Sequence, residues 1–357
     1  MDPPVVLRVL SDAASVQRFM EGRQSPIVEP GWAVLLYQGA ARSVVFLPMM
    51  WGLPNRAPFR RLDGSDLWYL ELKLPEGSRI EYKLEVDGQW LDDPRNPHVS
   101  HNPFGSVSVL RAHGYRPPDW AVPDAQVPPG TLKEMDIGGR QLTVYRPARF
   151  SSGLPLIFVH DGGDYLRYAG LQTVLDNLMQ SRSIPPALVA LSHPRERLAE
   201  YAANPNHARY VIDEAIPAVA DRYDTSSERF VAGASLGAVA ALHVVHSAPG
   251  HFQGLILQSG SFAAHVVDGP ERSVLEPIAH FLQEMEPSKL PRRVFLSCGT
   301  YEGTLSQNRV MAKRLEAAGL EIKYEEASDG HAWEAWRDRL GSGLQWVLGV
   351  GGPSAVI

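Results

Sequence analysis

The sequence of 357 residues holds a single cysteine, Cys298. No intrachain disulfide can form, and a thiolate zinc cluster is excluded. No apolar run reaches the 18 or so residues that a bilayer-spanning helix needs. Basic charge is not in excess: 34 Lys and Arg stand against 40 Asp and Glu, a formal net charge of −6. Without a basic run, that balance argues against nucleic acid or an anionic membrane as partner. Internal repeats and low-complexity tracts are absent, which excludes collagen, coiled coil and a disordered chain. The start, Met1-Asp2-Pro3-Pro4, lacks the basic and apolar stretches of a secretory leader. The expectation is a soluble protein in a reducing, cytoplasmic setting. What is present is ordinary globular material, 44% hydrophobic and 21% charged. At roughly 150 residues per domain there is room for two.

The front of the chain carries strand signals. Ile80, Tyr82, Leu84 and Val86 alternate with Glu81, Lys83 and Glu85, so one face is buried and one is wet. Asp87-Gly88 follows and then Gln89-Trp90-Leu91. An Asp-Gly pair accepts the positive φ of a tight hairpin. Trp68, Leu70, Leu72 and Leu74 repeat the alternation, and Val44–Leu47 and Val107–Leu110 supply two further strands. Short strands between turn residues predict a small immunoglobulin-like β-sandwich. A short helix is expected over Ala13–Glu21. Pro117, Pro118, Pro123, Pro128 and Pro129 then crowd one stretch. Proline fixes φ and removes donors, so this reads as a semi-rigid linker. The expected boundary is near residue 125, with domains over 1–125 and 126–357.

Behind that stretch the pattern changes. Leu142–Tyr145, Leu156–Val159, Ala187–Leu191, Arg229–Ala232, Leu255–Leu257, Val294–Ser297 and Ile322–Tyr324 read as strands. Between them Leu171–Met179, Tyr210–Tyr223, Leu236–Val245 and Ser306–Ala318 have helical spacing, and Ala332–Leu348 closes the series. Strand–helix alternation over some 220 residues predicts an α/β fold, a mostly parallel sheet covered on both faces.

One motif stands where that architecture would use it. Gly233-Ala234-Ser235-Leu236-Gly237 fits G-x-S-x-G between a strand and a helix. Such a turn holds a serine hydroxyl clear of the sheet, and small neighbours let strand and helix approach. The helix N-terminus adds a positive dipole beside a developing oxyanion. A serine hydroxyl needs a base, and the chain order here is serine, acid, histidine. Of twelve histidines only His331 lies beyond residue 280, in a loop after the last strand. The acid should follow the preceding strand, which selects Glu302. Asp329 is a rival too close in sequence to His331 to reach its far ring nitrogen, and Asp268 is a weaker one. The oxyanion needs two backbone N–H donors. Leu236 should supply one. The loop His160-Asp161-Gly162-Gly163-Asp164 should supply the other, from Gly162 or Gly163.

With these residues in view the chain, from about 131 to 348, resembles the enterochelin esterase and esterase D group of α/β-hydrolases. The matching stretches are Arg140-x-Leu142-x-Val144-Tyr145-x-Pro147, His160-Asp161-Gly162-Gly163, Arg197-x-x-Glu200-Tyr201 and the Ser235 turn. Gln258-Ser259-Gly260-Ser261-Phe262 and Gly330-His331-Ala332-Trp333-x-x-Trp336-Arg337 complete them. Tyr82-Lys83, Asp87-Gly88-x-Trp90 and Asp93-Pro94-x-Asn96-Pro97 are similar to the glycogen-binding-module type of sandwich that precedes such esterases. The resemblance implies an α/β-hydrolase fold with Ser235 as nucleophile, Glu302 as acid and His331 as base. Two departures stand out: Ala238 replaces a frequent glycine after the turn, and Gly303 a frequent proline after the acid.

Other residues admit plainer roles. His243 and His246 have metal-ligand spacing, but no third ligand joins them and packing explains them better. Cys298 reads as a small core residue. Trp90 could stack on a sugar, although a tryptophan beside a hairpin is more often core. Arg197, Glu200 and Tyr201 fit a structural cluster or the rim of a substrate pocket equally, and Trp333 is a further candidate for that pocket. The expected activity is cofactor-free serine ester hydrolysis on a small molecule, with a siderophore ester as the specific candidate. A carbohydrate acetyl or feruloyl esterase, an acyltransferase and a non-catalytic carbohydrate-binding protein are the alternatives. Oligomeric state is not legible.

Overall fold

The structure is a computed structural model that describes residues 12–49, 56–149, 152–263 and 272–349. The chain divides into two compact units. Among the described residues, the first takes in those as far as Arg116 together with Gly299–Gly303 and Ala327–Ala335, and the second the remainder. The boundary expected near residue 125 therefore lies inside the second unit.

The first unit is a sandwich of antiparallel sheets. One sheet orders Ile27–Glu29, Trp32–Gln38, Leu67–Lys73 and Arg60–Arg61. The other orders Ala57–Pro58, Val44–Pro48, Arg79–Val86, Gly105–Arg111 and Val99–Asn102, and Gln89–Leu91 pairs with Arg79–Val86 as the expected hairpin. Inward residues of both sheets, among them Leu35, Phe46, Trp68, Tyr82 and Leu84, form one core. The helix Ala13–Met20 covers the four-stranded sheet through Val16 and Met20 against Val34, Leu36 and Tyr69. The Asp93 motif is buried wiring: Asp93 accepts from Ser25 at 2.9 Å and from Tyr82 at 2.7 Å, and Asn96 donates to Tyr82 at 3.0 Å.

Trp90 is not a core residue; it is 61% exposed. It sits opposite Glu85 across the hairpin, so it shares the wet face, and its indole N–H donates to Glu85 at 2.9 Å. The same face is not wet throughout, because Glu81 is buried against Arg79.

The second unit holds an eight-stranded sheet. Its order is Thr131–Ile137, Arg140–Arg146, Leu188–Ser192, Leu154–Val159, Thr225–Ala234, Gly254–Gln258, Arg293–Gly299 and Glu321–Ala327. The first two strands form an antiparallel hairpin and join the sheet antiparallel at Leu188–Ser192, and the pairs from there to Arg293–Gly299 are parallel. The central strands are buried on both faces, as their unbroken apolar runs require. The helix Leu236–Ser247 is apolar nearly all round and sits deep in the core. The stretch expected as one helix over 210–223 begins with a π turn at Tyr210–Ala215 and continues as the α-helix Ile216–Arg222. The Pro-rich stretch is packed on this unit, where Asn177 caps the carbonyls of Trp120 and Val122 at 3.1 and 2.8 Å. No helix among the described residues is long and apolar enough to cross a membrane.

Candidate active site

Ser235 ends the strand Thr225–Ala234 and caps the helix Leu236–Ser247 with φ 58° and ψ −123°. A non-glycine residue in that region is strained and persists only where its surroundings impose it. Here they do. Its N–H donates to the Gln258 carbonyl at 2.9 Å, and its own carbonyl accepts from Ala238 at 3.1 Å and Ser261 at 3.2 Å. A Cβ on Gly233 would fall 2.1 Å from the Gly237 carbonyl oxygen, so glycine is required where the strand passes the helix. The neighbouring turn is held in its turn by buried Asn308, which accepts from the Gly260 N–H and donates to its carbonyl, both at 2.9 Å. Leu236 is the first residue of the helix, where an N–H has no partner within the helix.

The expected glycine loop begins a helix. Asp161 takes a left-handed φ of 54°, and Gly162 and Gly163 open the helix Gly162–Tyr168. Asp161 is fixed by three bonds from two residues. Arg197 grips its carboxylate with two bonds of 2.8 and 2.7 Å, and the Tyr201 hydroxyl accepts its N–H at 3.0 Å. A Cβ on Gly162 would lie 2.4 Å from that of Leu191, so the turn is pressed onto the sheet.

In the first unit His331 and Glu302 are brought together. Nδ1 of His331 lies 2.7 Å from Oε2 of Glu302, whose side chain is 1% exposed. The other carboxylate oxygen accepts the Gly299 N–H at 2.7 Å. The two loops are stitched by backbone bonds from Thr300 to Ala327 at 2.8 Å and from Tyr301 to Asp329 at 3.0 Å. Gly299 has to be glycine, since a Cβ there would meet the Asp329 carbonyl at 2.3 Å. Asp329, the rival acid, contributes this backbone crossing, while Glu302 holds the imidazole. Asp268 lies outside the described residues.

The model of a family described as "Putative esterase" matches residues 138–347. The chain belongs to this esterase family. Among curated relatives, the iron(III) enterobactin esterase of Escherichia coli strain K12 is 27% identical over 197 residues, 53% of this chain and 48% of that protein. An acetyl esterase of Caldicellulosiruptor saccharolyticus is 25% identical over 67 residues, 19% of this chain and 25% of that one. The chain thus spans less than half the length of either. A crystal structure of the enterobactin esterase of Shigella flexneri in the presence of enterobactin superposes with a TM-score of 0.75 at 19% identity, over 93% of this chain and 97% of that one. That likeness is one of fold, an α/β-hydrolase sheet preceded by a β-sandwich.

The other residues singled out by sequence fall into place around this esterase scaffold. Tyr201 is fully buried, and both it and Arg197 brace the Asp161 turn. Glu200 accepts from Arg140 at 2.8 Å and from the Arg195 and Glu196 N–H groups at 3.1 Å. Burial opposes its charge, but these partners and His207 overcome that and hold it at about 2. His160 packs against His207 at 3.1 Å, and burial, aided by that neighbour, pushes it well below the ordinary histidine range. Trp333 is half-buried at the start of the last helix. His243 lies edge-on to Phe281, and His246 accepts the Glu286 N–H at 3.2 Å. Cys298 is buried.

Sequence reasoning missed Arg79. Its side chain is 1% exposed and is bound to Glu81 and Glu334 at 3.0 and 2.6 Å. Burial works against its charge and the two carboxylates more than restore it. The signal available was an arginine at the head of a strand, which local patterning assigns to solvent.

Proposed function

We propose that the protein hydrolyses a carboxylic ester with Ser235 as nucleophile, His331 as general base and Glu302 as the acid that orients it. Ser235 Oγ attacks the ester carbonyl carbon while His331 Nε2 takes its proton. The N–H of Leu236 and that of Gly162 or Gly163 hold the oxyanion. As the carbon–oxygen bond to the alcohol breaks, His331 returns the proton to the leaving oxygen. Water, deprotonated by the same imidazole, then releases the carboxylic acid and restores Ser235. Glu302 accepts the Nδ1–H throughout, selecting the tautomer whose Nε2 can receive a proton.

The observation that carries this reading is the strained backbone of Ser235 at the strand–helix junction. The hydrogen-bonded pair of His331 and Glu302 supports it. For the substrate, the fold shared with enterobactin esterases and the partial match to the Escherichia coli enzyme favour a ferric siderophore built on ester bonds, opened inside the cell. Arg197 and Tyr201 serve this reaction through the oxyanion turn, and Trp333 is a candidate wall for the substrate.

A fluorophosphonate probe tests the chemistry. Labelling of wild type and its loss in Ser235→Ala is the expected result; unlabelled wild type points instead to a non-catalytic binding protein. Turnover of a ferric catechol trilactone, compared with short nitrophenyl esters, acetylated sugars and feruloyl esters, tests the substrate. A preference for the sugar esters overturns the siderophore assignment.

A further inference from the structure

We propose that Arg79 is a positioning residue that holds His331 and Glu302 in register, an inference that rests on their reading as base and acid. Arg79 opens the strand Arg79–Val86. Its Nε and Nη2 donate to Oε2 of Glu334 at 3.1 and 2.6 Å. Glu334 lies three residues after His331, in the first turn of the helix Trp333–Val347. The backbone N–H of Arg79 donates to the Ser328 carbonyl at 2.9 Å, three residues before His331. One residue therefore clamps the histidine loop at both ends. Residues 329–332, which include His331, have neither helix nor strand to set their course.

The neighbouring residue extends the grip to the acid. Ser78 Oγ lies 2.9 Å from the Tyr301 hydroxyl. Tyr301 is adjacent to Glu302 in the chain, packs on the sandwich core and donates its N–H to Asp329. The turn that starts one sandwich strand thus touches the acid loop through Tyr301 and the base loop through Ser328 and Glu334.

Stability alone does not explain a guanidinium here. A buried charge cluster gains little over apolar side chains of the same volume, because desolvation offsets the attraction. What an arginine fork adds is direction: donors in one plane that accept a carboxylate in one orientation. A base needs that, since a displacement of about 1 Å can cost about 10²-fold in rate.

The test compares Arg79→Lys, which keeps the charge and loses the fork, with the neutral triple variant Arg79→Met, Glu81→Gln, Glu334→Gln. Arg42→Ala, which removes an exposed pairing with Asp87 in the same unit, is the control. Each full-length variant is read by kcat and KM on a short nitrophenyl ester, by its thermal melt, and by the low-field proton resonance of the His331–Glu302 hydrogen bond. The triple variant should lose about 10²-fold in kcat with KM within about twofold, and its low-field resonance should broaden or vanish. Arg79→Lys should fall between it and wild type, and Arg42→Ala should match wild type. A folded triple variant with wild-type kcat, or with a loss confined to KM, overturns the inference. Ser235→Ala in the same assay separates the two readings. If it is inactive while the triple variant turns over normally, only the role of Arg79 fails; if it stays fully active, the catalytic reading fails and this inference with it.

Discussion

The two oxygens of Glu302 are divided between two donors: Oε2 faces Nδ1 of His331 and Oε1 takes the Gly299 N–H, each at 2.7 Å. Glutamine at this position cannot serve both. Its carbonyl oxygen will stay on the Gly299 N–H, where only an acceptor fits, and its amide N–H₂ will then face the imidazole. Nδ1 must become an acceptor, so the proton moves to Nε2 and the proposed general base is blocked. Glu302→Gln should lower kcat by about 10³- to 10⁴-fold with little change in melting temperature. Steady-state assays on a nitrophenyl ester check the first part and a thermal melt the second.

Arg197 and Asp161 make a two-point ion pair in which the carboxylate is almost wholly buried and the arginine about one-third exposed. Methionine at 197 would leave a buried carboxylate beside a left-handed backbone turn without its counter-charge. Arg197→Met should destabilise the protein by about 3 kcal/mol, read from denaturant unfolding. Because the same turn presents the Gly162 and Gly163 N–H groups, kcat should fall as well. Pairing Arg197→Met with Asp161→Asn should recover much of the stability, since the uncompensated charge is then gone.

Much of this was legible in the chain, and the reasons differ by residue. The strand–helix turn at Ser235 could be read because the five-residue motif sits between an apolar run and an Ala- and Val-rich helix, all within 20 residues. The pairing of Glu302 with His331 could be read because each follows a strand that periodicity reveals. Arg79 could not. Alternation along Arg79–Val86 reports which residues share a face, but not that Tyr301, Ser328 and Glu334, over 200 positions later, meet the head of that strand. Trp90 was misread for the converse reason: its place beside a hairpin suggested burial, whereas its cross-strand partner Glu85 already placed it on the open face. Arg197, Glu200 and Tyr201 could be seen as a cluster, but only the structure shows that Arg197 and Tyr201 brace the left-handed turn at Asp161.

His243 gives a prediction on pH. Burial, with His246 and His207 nearby, pulls it down to about 4, below its ordinary value of 6.5. The unfolded chain therefore binds a proton at this position that the folded chain refuses between those two values. The sign follows: stability is full above pH 6.5 and falls as the pH drops towards 4. Replacing His243 by leucine keeps the packing against Phe281 apolar and removes that proton. Between pH 7 and pH 5 the melting temperature of His243→Leu should fall by about 2–4 °C less than that of wild type.

The choice between Gly162 and Gly163 as oxyanion donor can be put to experiment through what surrounds each α-carbon. A methyl group on Gly162 would stand 2.4 Å from Leu191 Cβ and 2.5 Å from its Cα. Those atoms belong to a strand buried in the middle of the sheet and cannot retreat. The turn itself must move, and the N–H groups at the start of its helix move with it. A methyl on Gly163 would stand 2.7 Å from Nδ1 of His193. That is a ring at the end of a side chain, held by Thr143 at 2.8 Å, which can rotate at the cost of about one hydrogen bond. Gly162→Ala should therefore cost about 10²- to 10³-fold in kcat, the scale of a lost oxyanion donor, and lower the melting temperature. Gly163→Ala should stay within about tenfold if Gly162 is the donor, since a shift in the Gly163 N–H then touches no oxyanion bond. If Gly163 carries the oxyanion instead, its alanine variant should lose rate with a stability loss no larger than that one hydrogen bond. Measuring kcat and melting temperature for both variants in parallel assigns the donor.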